Sequence, residues 1–414
     1  MYGVFLLSAG GKALKIDLSA LNESQKQAVL DTEGAVLVFA GAGSGKTRVL
    51  TYRVANLVEK GVPSWQILAV TFTNKAAREM RERLYNMLGD HEVFVSTFHS
   101  FCAKVLFSHA EKLGYGQNFS ILDESASTRM IKRVLRELHL DDREKDDIKA
   151  HISTAKNADL SPDSYYEEIK KTVKNAQDIR ESYIRYNELL QENNSMDFDD
   201  LQTKTLELFR KFDDVRQKYA ARFKYIHVDE FQDTNNVQLE LIKLLSSYWK
   251  NIFVVGDDDQ SIYSWRGANV QNILGFQDIF ENVKTHKLEQ NYRSTGNILQ
   301  AANNLIQNNI GRQKKVLYTQ GIGGVRVEYQ VCYNEHQEAK WVIDNIKNLM
   351  YYNGYKASDF AILTRINALS RLFEMKLRDL GVNYNVLGGF RFFDRQEILD
   401  LIAYLKTLCN PADS

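Results

Sequence analysis

The sequence predicts an α/β protein built on a parallel sheet, and two features of its pattern lead to this class. Short apolar runs that suit single buried strands recur along the chain, at residues 35–40, 67–72, 225–228 and 252–255. Each run is followed by polar or glycine-containing residues and then by a stretch with helical periodicity. This alternation is typical of a parallel sheet whose functional groups lie beyond the carboxyl ends of its strands.

Length and composition indicate an ordinary globular protein of two or three domains. The chain has 414 residues, 44% hydrophobic and 26% charged, and domains commonly span about 100–200 residues. Basic and acidic residues balance at 53 each, so any nucleic-acid site must rest on a local basic stripe. No apolar run approaches the ~20 residues of a membrane span. Cys102, Cys332 and Cys409 are widely separated, which favours reduced thiols and a cytoplasmic location over zinc or disulfides.

Changes in composition and periodicity along the chain predict the domain organisation. Residues 1–18 form a leader that lacks the basic start of a signal peptide. Charged, helix-periodic sequence then interrupts the first lobe, because strand-like runs resume at residue 225. The expected parts are 19–108 and 196–282 for the first lobe, 109–195 for a helical insertion, and 283–388 for a partial second lobe. Strands are expected in the second lobe at 325–331, 360–364 and 384–387, and a final helix at 394–408.

Residues 36–47 have the pattern of a phosphate-binding loop: a strand, a glycine-rich turn, and Lys46-Thr47 at the start of a helix. Glycines let backbone N–H groups converge on an anion, and the helix N-terminus adds partial positive charge. Lys46 would reach the β- and γ-phosphates, and the Thr47 hydroxyl would hold Mg²⁺. Ala40 stands where the strict pattern has glycine, which is tolerable at negative φ. The expected ATP-contacting residues here are Ala40, Gly41, Ala42, Gly43, Ser44, Gly45, Lys46, Thr47 and Arg48.

Two further strand ends carry candidate catalytic groups. The run at 225–228 ends in two carboxylates, of which Asp229 suits a role beside Mg²⁺ and Glu230 suits the base that orients the attacking water. The alternative is a pair of solvated acids that begins a helix. Gln260 lies just beyond the run at 252–255 and would contact the γ-phosphate, although a glutamine in a turn is usually polar surface.

Seven motifs follow one another along the chain, at residues 21–29, 71–77, 96–102, 196–201, 228–235, 256–268 and 288–294. In kind and order they resemble the motifs of the superfamily-one DNA helicases of the UvrD/Rep/PcrA group. The resemblance runs from residue 21 to 413 and implies two RecA-like lobes, the first being a P-loop parallel sheet with a helical insertion. It also implies that residues 389–414 are the truncated start of an accessory helical domain. It also implies ATP and Mg²⁺ as cofactors, with single-stranded DNA and single/double-strand junctions as partners.

The resemblance assigns roles to individual residues. Gln25 would read the adenine edge, although Asn22 and Gln25 also fit a capping box. Tyr292 would stack on adenine, and Arg293 would reach the γ-phosphate as an arginine finger. For Trp265, core packing is the alternative, but its polar neighbours favour a cleft. The expected DNA-contacting residues are Phe72, Asn74, Lys75, Thr97, His99, Tyr263, Trp265 and Arg266.

Other polar clusters have plain structural explanations. Asp197, Asp199 and Asp200 fit a helix N-terminus rich in acids better than a metal cluster. His99 has no Cys or His partner at metal-ligand spacing. Lys75, Arg78 and Arg83 are candidates for a basic DNA groove, but an exposed amphipathic helix face explains the last two equally well.

The family has two further motifs late in its second lobe, and neither occurs in this sequence. One contains threonine-histidine followed by lysine-glycine-leucine-glutamate, and the other is threonine-arginine-alanine. We therefore expect an incomplete motor, whose intact form would translocate 3′→5′ on single-stranded DNA in repair or replication. Two alternatives stay open. One is a nucleotide-gated single-stranded DNA-binding module without productive hydrolysis, and the other is the motor subunit of a recombination nuclease–helicase.

Overall fold

The computed structural model describes residues 16–387, 400–402, 404 and 405. Most of the expected leader, the expected final helix apart from those last residues, and Cys409 lie outside the described part. The chain divides into two compact units, of which the first ends at Val325 and the second begins at Arg326.

A six-stranded, entirely parallel sheet forms the centre of the first unit, with strand order β3-β2-β6-β7-β1-β8. A separate two-stranded parallel pair joins β4 to β5. The strands are β1 (Ala35–Ala40), β2 (Ile67–Thr71), β3 (Phe94–Thr97), β4 (Ser120–Ile121), β5 (Ser195–Met196), β6 (Tyr225–Val228), β7 (Ile252–Gly256) and β8 (Lys284–Leu288). All four apolar runs identified in the sequence are strands of this sheet, and the predicted α/β class is confirmed.

Sixteen α-helices lie between residues 23 and 379, and residues 400–402, 404 and 405 are also helical. They are α1 (Glu23–Leu30), α2 (Lys46–Glu59), α3 (Asn74–Leu88), α4 (Phe98–His109), α5 (Glu124–Glu137), α6 (Lys145–Asn157), α7 (Pro162–Ile169), α8 (Ala176–Glu192), α9 (Phe198–Lys211), α10 (Asp213–Arg222), α11 (Asn236–Ser246), α12 (Gln271–Leu274), α13 (Phe276–Ile279), α14 (Gly296–Ile306), α15 (Glu335–Asn353) and α16 (Ser370–Asp379).

Hydrophobic cores cover both faces of the sheet, as a parallel sheet requires. Successive residues of β1 point to opposite faces: Leu37 and Phe39 enter one core, and Val36 and Val38 enter the other. Burial of each such side chain contributes roughly 1.5–3 kcal/mol. The two cores therefore fix the carboxyl end of β1, from which the glycine-rich loop emerges.

The strand β8 begins just after residue 283, where the second lobe is expected to start. Lys284–Leu288 pairs in parallel with β1, with Val36 opposite Lys284, and so completes the first sheet. Its polar sequence, KTHKL, has one buried residue because the strand lies at the sheet edge. An apolar-run criterion does not detect an edge strand of this kind.

The segment between β4 and β5 is helical, as the sequence predicts. Its helices α5 to α8 enclose a separate core that includes Ile131, Ile152 and Leu189. After β5, Asp197 caps α9 and forms a capping box with Asp200. The interpretation of these acids as a helix N-terminus is therefore confirmed.

The second unit contains α15 and α16, which pack together through Ala339, Ile343 and Phe373. The strands expected at 325–331, 360–364 and 384–387 are wrong, because all of these residues are described and none is in a strand. The alternating side chains of 325–331 are instead exposed, with Val325 at 86% and Tyr329 at 90%. Among the described helices, none is both long and apolar enough to cross a membrane.

Candidate functional site

The glycine-rich loop joins the buried strand β1 to helix α2. Ala40 is the last residue of β1 and lies opposite Leu288 of β8, and it is not among the residues with positive φ, so alanine fits this position. Gly43 and Gly45 have φ of 68° and 88°, which favours glycine. The Ser44 backbone N–H and hydroxyl both donate to the Gly41 carbonyl, at 3.2 and 2.7 Å. The loop is therefore a tight turn that leads directly into the amino end of α2.

Close neighbours exclude side chains from two of the loop glycines. A Cβ atom on Gly41 would lie 2.1 Å from a methyl group of Leu317, and one on Gly43 would lie 2.6 Å from the Asn291 amide nitrogen. The Asn291 amide donates to the Ala42 carbonyl at 2.5 Å, and the Tyr292 N–H donates to the Gly43 carbonyl at 3.0 Å. The motif at 288–294 thus lies directly against the loop.

Lys46 and Thr47, at the start of α2, face the two acids that follow β6. The Lys46 ammonium lies 2.5 Å from a carboxylate oxygen of Glu230, and the Thr47 hydroxyl donates to Asp229 at 3.2 Å. Strands β6, β7 and β1 are neighbours in the sheet, so their carboxyl ends bring these groups together. Four residues from two distant motifs form one polar centre.

Burial raises the pKa of two carboxyl groups after β6, those of Asp229 and Asp233. Burial, and then repulsion from Glu230, raises the pKa of Asp229 to about 6. The same two effects raise the pKa of Asp233 to about 6. Glu230 has a left-handed backbone conformation, with φ of 51°, and its N–H donates to the Asp229 carboxylate at 3.0 Å.

Gln232, which the sequence analysis did not single out, connects the acids after β6 to the turn after β7. Its amide donates to Glu230 at 3.0 Å, and its amide oxygen accepts from the Asp257 N–H at 2.9 Å. It is 1% exposed. Asp257 also accepts from the Gln260 side-chain amide. Gln260 is thereby joined to Glu230 through two intervening residues.

Gln25 forms the capping box with Asn22 that the sequence suggested. Its amide oxygen accepts from the Asn22 N–H in a capping box, and its amide nitrogen donates to the Ser44 carbonyl of the loop at 2.8 Å. Asn22 also donates to the Tyr292 hydroxyl at 2.8 Å. The residues expected to contact adenine, Gln25 and Tyr292, are therefore linked through Asn22 beside the loop.

Two arginines expected to contact ATP lie near the loop. The Arg293 Cβ lies 2.8 Å from the position of a Cβ on Gly43, while Arg293 itself is exposed. Its guanidinium makes no ion pair with any residue that the structure describes. The Arg48 guanidinium lies 5.7 Å from the ring centroid of Tyr52 on the same helix.

An aromatic surface, defined here as Phe72, Tyr263, Trp265 and Arg266, lies beyond the carboxyl ends of β2 and β7. The Phe72 and Tyr263 rings stack at 5.4 Å, and the Tyr263 and Trp265 rings are 6.4 Å apart. The Arg266 guanidinium lies 4.6 Å from the Trp265 ring centroid. Trp265 is 72% exposed, which excludes the core-packing alternative.

The other residues expected to contact DNA lie at the starts of α3 and α4. Asn74 and Lys75 are exposed, and Lys75 is within 3.8 Å of Glu79 on the same helix face. Thr97 caps α4 and accepts from the Ser100 N–H. His99 is 2.7 Å from the Gln202 amide, and burial lowers its pKa.

Two basic residues after α14 also lie beside the site, although no motif indicates them. Lys315 and Arg312 form ion pairs with the acids at the start of the turn after β7. No local pattern indicates these partners, because more than fifty residues separate the two segments.

Comparison with known proteins shows that two family models match consecutive parts of the chain. The model of the UvrD/REP helicase N-terminal domain matches residues 21–281, and that of the UvrD-like helicase C-terminal domain matches residues 286–414. Because both models match, the expectation of an incomplete motor is not supported. The comparison does not address the direction of translocation.

Several relatives are named ATP-dependent DNA helicase PcrA. The protein of Bacillus subtilis is 46% identical over 403 residues, which are 96% of this chain and 54% of the relative. The protein of Leuconostoc citreum is 45% identical over 404 residues, 96% and 53% of the two chains. That of Staphylococcus aureus strain Mu50 is 43% identical over 408 residues, 96% and 54%. The chain thus spans about half the length of these curated relatives, and it belongs to the UvrD/Rep helicase family.

Proposed function

We propose that this chain supplies the nucleotide-hydrolysing portion of an ATP-dependent DNA helicase or translocase. The observation that carries the proposal is the polar centre at the ends of β1 and β6, in which Lys46 lies against Glu230 and Thr47 lies against Asp229. The relatives named above, which match 96% of the chain, are ATP-dependent DNA helicases.

In this proposal, the glycine-rich loop binds the triphosphate through its backbone N–H groups and the amino end of α2. Lys46 exchanges its partner Glu230 for the β- and γ-phosphate oxygens. The Thr47 hydroxyl and the Asp229 carboxylate offer two oxygen atoms 3.2 Å apart, and oxygen is the ligand that Mg²⁺ prefers. Bound Mg²⁺ would neutralise phosphate charge, and Asp229 would be ionised beside it.

The carboxylate that Lys46 releases becomes available for hydrolysis. Glu230 would then orient the attacking water and accept its proton. Gln260 would contact the γ-phosphate, and the free Arg293 guanidinium would stabilise charge that develops on the transferred phosphoryl group. Tyr292 would stack on the adenine, with Gln25 at its edge through the remaining amide N–H.

Single-stranded DNA is the proposed polymer, and the aromatic surface is its proposed contact. Exposed rings that stack on bases contribute about 1–3 kcal/mol per base and tolerate any sequence. Asn74, Lys75, Thr97 and His99 adjoin this surface at the ends of β2 and β3 and would contact the strand. Translocation 3′→5′, action at junctions, roles in repair or replication and a cytoplasmic location belong to the same proposal. The proposed domain boundaries are 19–108 with 196–282 for the first lobe, 109–195 for the helical insertion, 283–388 for the second lobe and 389–414 for the start of an accessory helical domain.

Nucleotide binding and hydrolysis, measured with and without oligo-dT, test the proposed function. We expect Mg²⁺-dependent ATP binding and hydrolysis that increases with oligo-dT. Lys46→Ala should lose both, because it removes the cation that contacts the phosphates. Lys60→Ala is the matched control, since Lys60 is an exposed lysine at the other end of α2.

Two outcomes would contradict the proposal in different ways. Hydrolysis that Lys46→Ala leaves unchanged would show that the loop is not the nucleotide site. Nucleotide-dependent DNA binding without turnover in the unmodified chain would favour the DNA-binding module over the motor.

A further inference from the structure

Three consecutive acids follow β7, and one buried lysine contacts all of them. The Lys315 ammonium lies 2.8 Å from Asp257, 2.5 Å from Asp258 and 2.8 Å from Asp259, and the Lys315 side chain is 2% exposed. An ammonium group has three N–H donors, so these contacts use all of its hydrogen-bonding capacity. Arg312 adds a two-point contact with Asp259 at 2.6 and 2.5 Å.

This acidic turn is connected to the polar centre by hydrogen bonds. One Asp257 oxygen contacts Lys315, and the other accepts from the Gln260 amide. The Asp257 N–H donates to Gln232, whose amide donates to Glu230. The position of one carboxylate therefore affects both the glutamine proposed to contact the γ-phosphate and the acid proposed to activate water.

The three acids are close enough to suggest a metal site, since one oxygen from each lies within 4.8 Å of the others. The Lys315 ammonium already contacts all three carboxylates, so a cation would have to displace it. The cluster is better explained as an ion-paired anchor. Breaking such a buried contact leaves carboxylates without a counter-charge.

We propose that Lys315 is a positioning residue for nucleotide hydrolysis, acting through Asp257 on Gln260 and Glu230. The inference rests on the proposed function. Lys315 itself contacts no group proposed to touch nucleotide; it holds Asp257 in the orientation that directs the Gln260 amide. Losing it would misplace groups whose alignment matters in the transition state more than in the bound ground state.

The first experiment compares steady-state ATP hydrolysis, with oligo-dT, in the unmodified chain and in Lys315→Met, which keeps the unbranched apolar stem and removes the charged end. We expect kcat to fall about 10- to 100-fold and KM for ATP to change less than about threefold, since the lost interaction acts in the transition state. Lys314→Met is the matched control, because the neighbouring Lys314 is exposed and should hydrolyse ATP normally.

A double-mutant cycle with Asp257→Asn tests the route of the effect, because Asp257 is the link that both branches share. If Lys315 acts through Asp257, Lys315→Met in the Asp257→Asn background should lower kcat much less than it does alone. Rate losses that simply multiply would overturn the inference, because they would show that Lys315 acts elsewhere.

Loss of folding is separated from loss of positioning by a compensated variant. Lys315→Met combined with Asp258→Asn removes one charge of each sign and restores the net charge of the cluster, while Asp257 and Gln260 are kept. We expect thermal stability to recover and kcat to remain low. Recovery of kcat together with stability would overturn the inference, as would normal kcat in Lys315→Met alone. Absence of turnover in the unmodified chain would instead refute the proposed function, and this inference with it.

Discussion

Replacing Lys156 should destabilise the junction between the helical insertion and the first lobe. Lys156 lies near the end of α6, and its ammonium is 2.8 Å from both Asp197 and Asp200 at the start of α9. The side chain is 2% exposed. Lys156→Met keeps most of the apolar contacts of the stem but leaves two buried carboxylates without their cation.

The expected cost follows from the chemistry of Asp200. Burial, and then repulsion from Asp197, raises the pKa of Asp200 to about 6 even with Lys156 present. Without Lys156 the pKa of Asp200 rises further, so this carboxyl would be protonated in the folded state. Protonating it at pH 7 costs about 4 kcal/mol, which is about 1.4 kcal/mol for each of the roughly three pH units above its ordinary pKa. This agrees with the ~3–5 kcal/mol expected for breaking a buried ion pair.

The sign of the pH dependence is opposite to that of ordinary acid unfolding. The folded variant binds a proton that the unfolded chain releases, so its stability increases as the pH falls. The penalty relative to the unmodified chain should shrink by about 1.4 kcal/mol between pH 7.5 and 6.5.

Thermal unfolding followed by circular dichroism at these two pH values measures the effect. We expect Tm to fall by about 10 °C at pH 7.5 for the transition that includes the insertion, at roughly 2–4 °C per kcal/mol. Lys149→Met on the same helix is the control. Its partner Glu124 is 90% exposed, so that ion pair contributes at most about 1 kcal/mol. Equal Tm values for the two variants, or a penalty that does not change with pH, would refute the reasoning.

Three further predictions concern the proposed site. Gly43→Ala should weaken Mg-ATP binding at least about tenfold, measured with a fluorescent nucleotide, because Gly43 has a positive φ and its added methyl group would lie against Asn291 and Arg293. In the control Gly61→Ala, φ is also positive but no atom lies within 4 Å of the added methyl group. Equal losses of binding in the two variants would contradict this prediction. Mg-nucleotide affinity should fall about tenfold between pH 7 and 5 as Asp229, with its pKa of about 6, is protonated; a profile that persists in Asp229→Asn would assign the titration to another group. Trp265→Ala should lower single-stranded DNA affinity about tenfold in fluorescence anisotropy. Trp65→Ala is the control, because Trp65 is also exposed but lies in the turn before β2, outside the aromatic surface. Matching losses in the two variants would refute the proposed aromatic surface.

Local patterns were sufficient to predict the central strands and the loop. Residues 35–40 and 225–228 are apolar runs in the sequence and are strands with the same bounds in the structure. These strands are apolar throughout because both faces of the sheet are buried there, and an apolar run can be recognised in a single sequence. The edge strand β8 has no such signal, because only Leu288 is buried.

Features that depend on contacts across the chain could not be predicted. The alternation at 325–331 is typical of a strand, but a strand also needs a neighbour to pair with, and sequence periodicity does not show whether one is present. The contacts of Lys315 and Gln232 likewise join segments that only the fold brings together. In the site, residue types could be predicted from motifs, whereas the hydrogen bonds that orient them could not.

The backbone at Glu230 has a consequence for how this protein would respond to selection for heat resistance. A residue other than glycine at φ of 51° is strained by about 1–2 kcal/mol. Glycine at position 230 would relieve that strain and remove the repulsion that Glu230 exerts on Asp229, but it would also remove the ion-pair partner of Lys46. If Glu230 orients water as proposed, the site keeps a strained backbone in order to hold that carboxylate. Any gain in heat resistance from glycine at this position would then come with loss of the proposed hydrolysis.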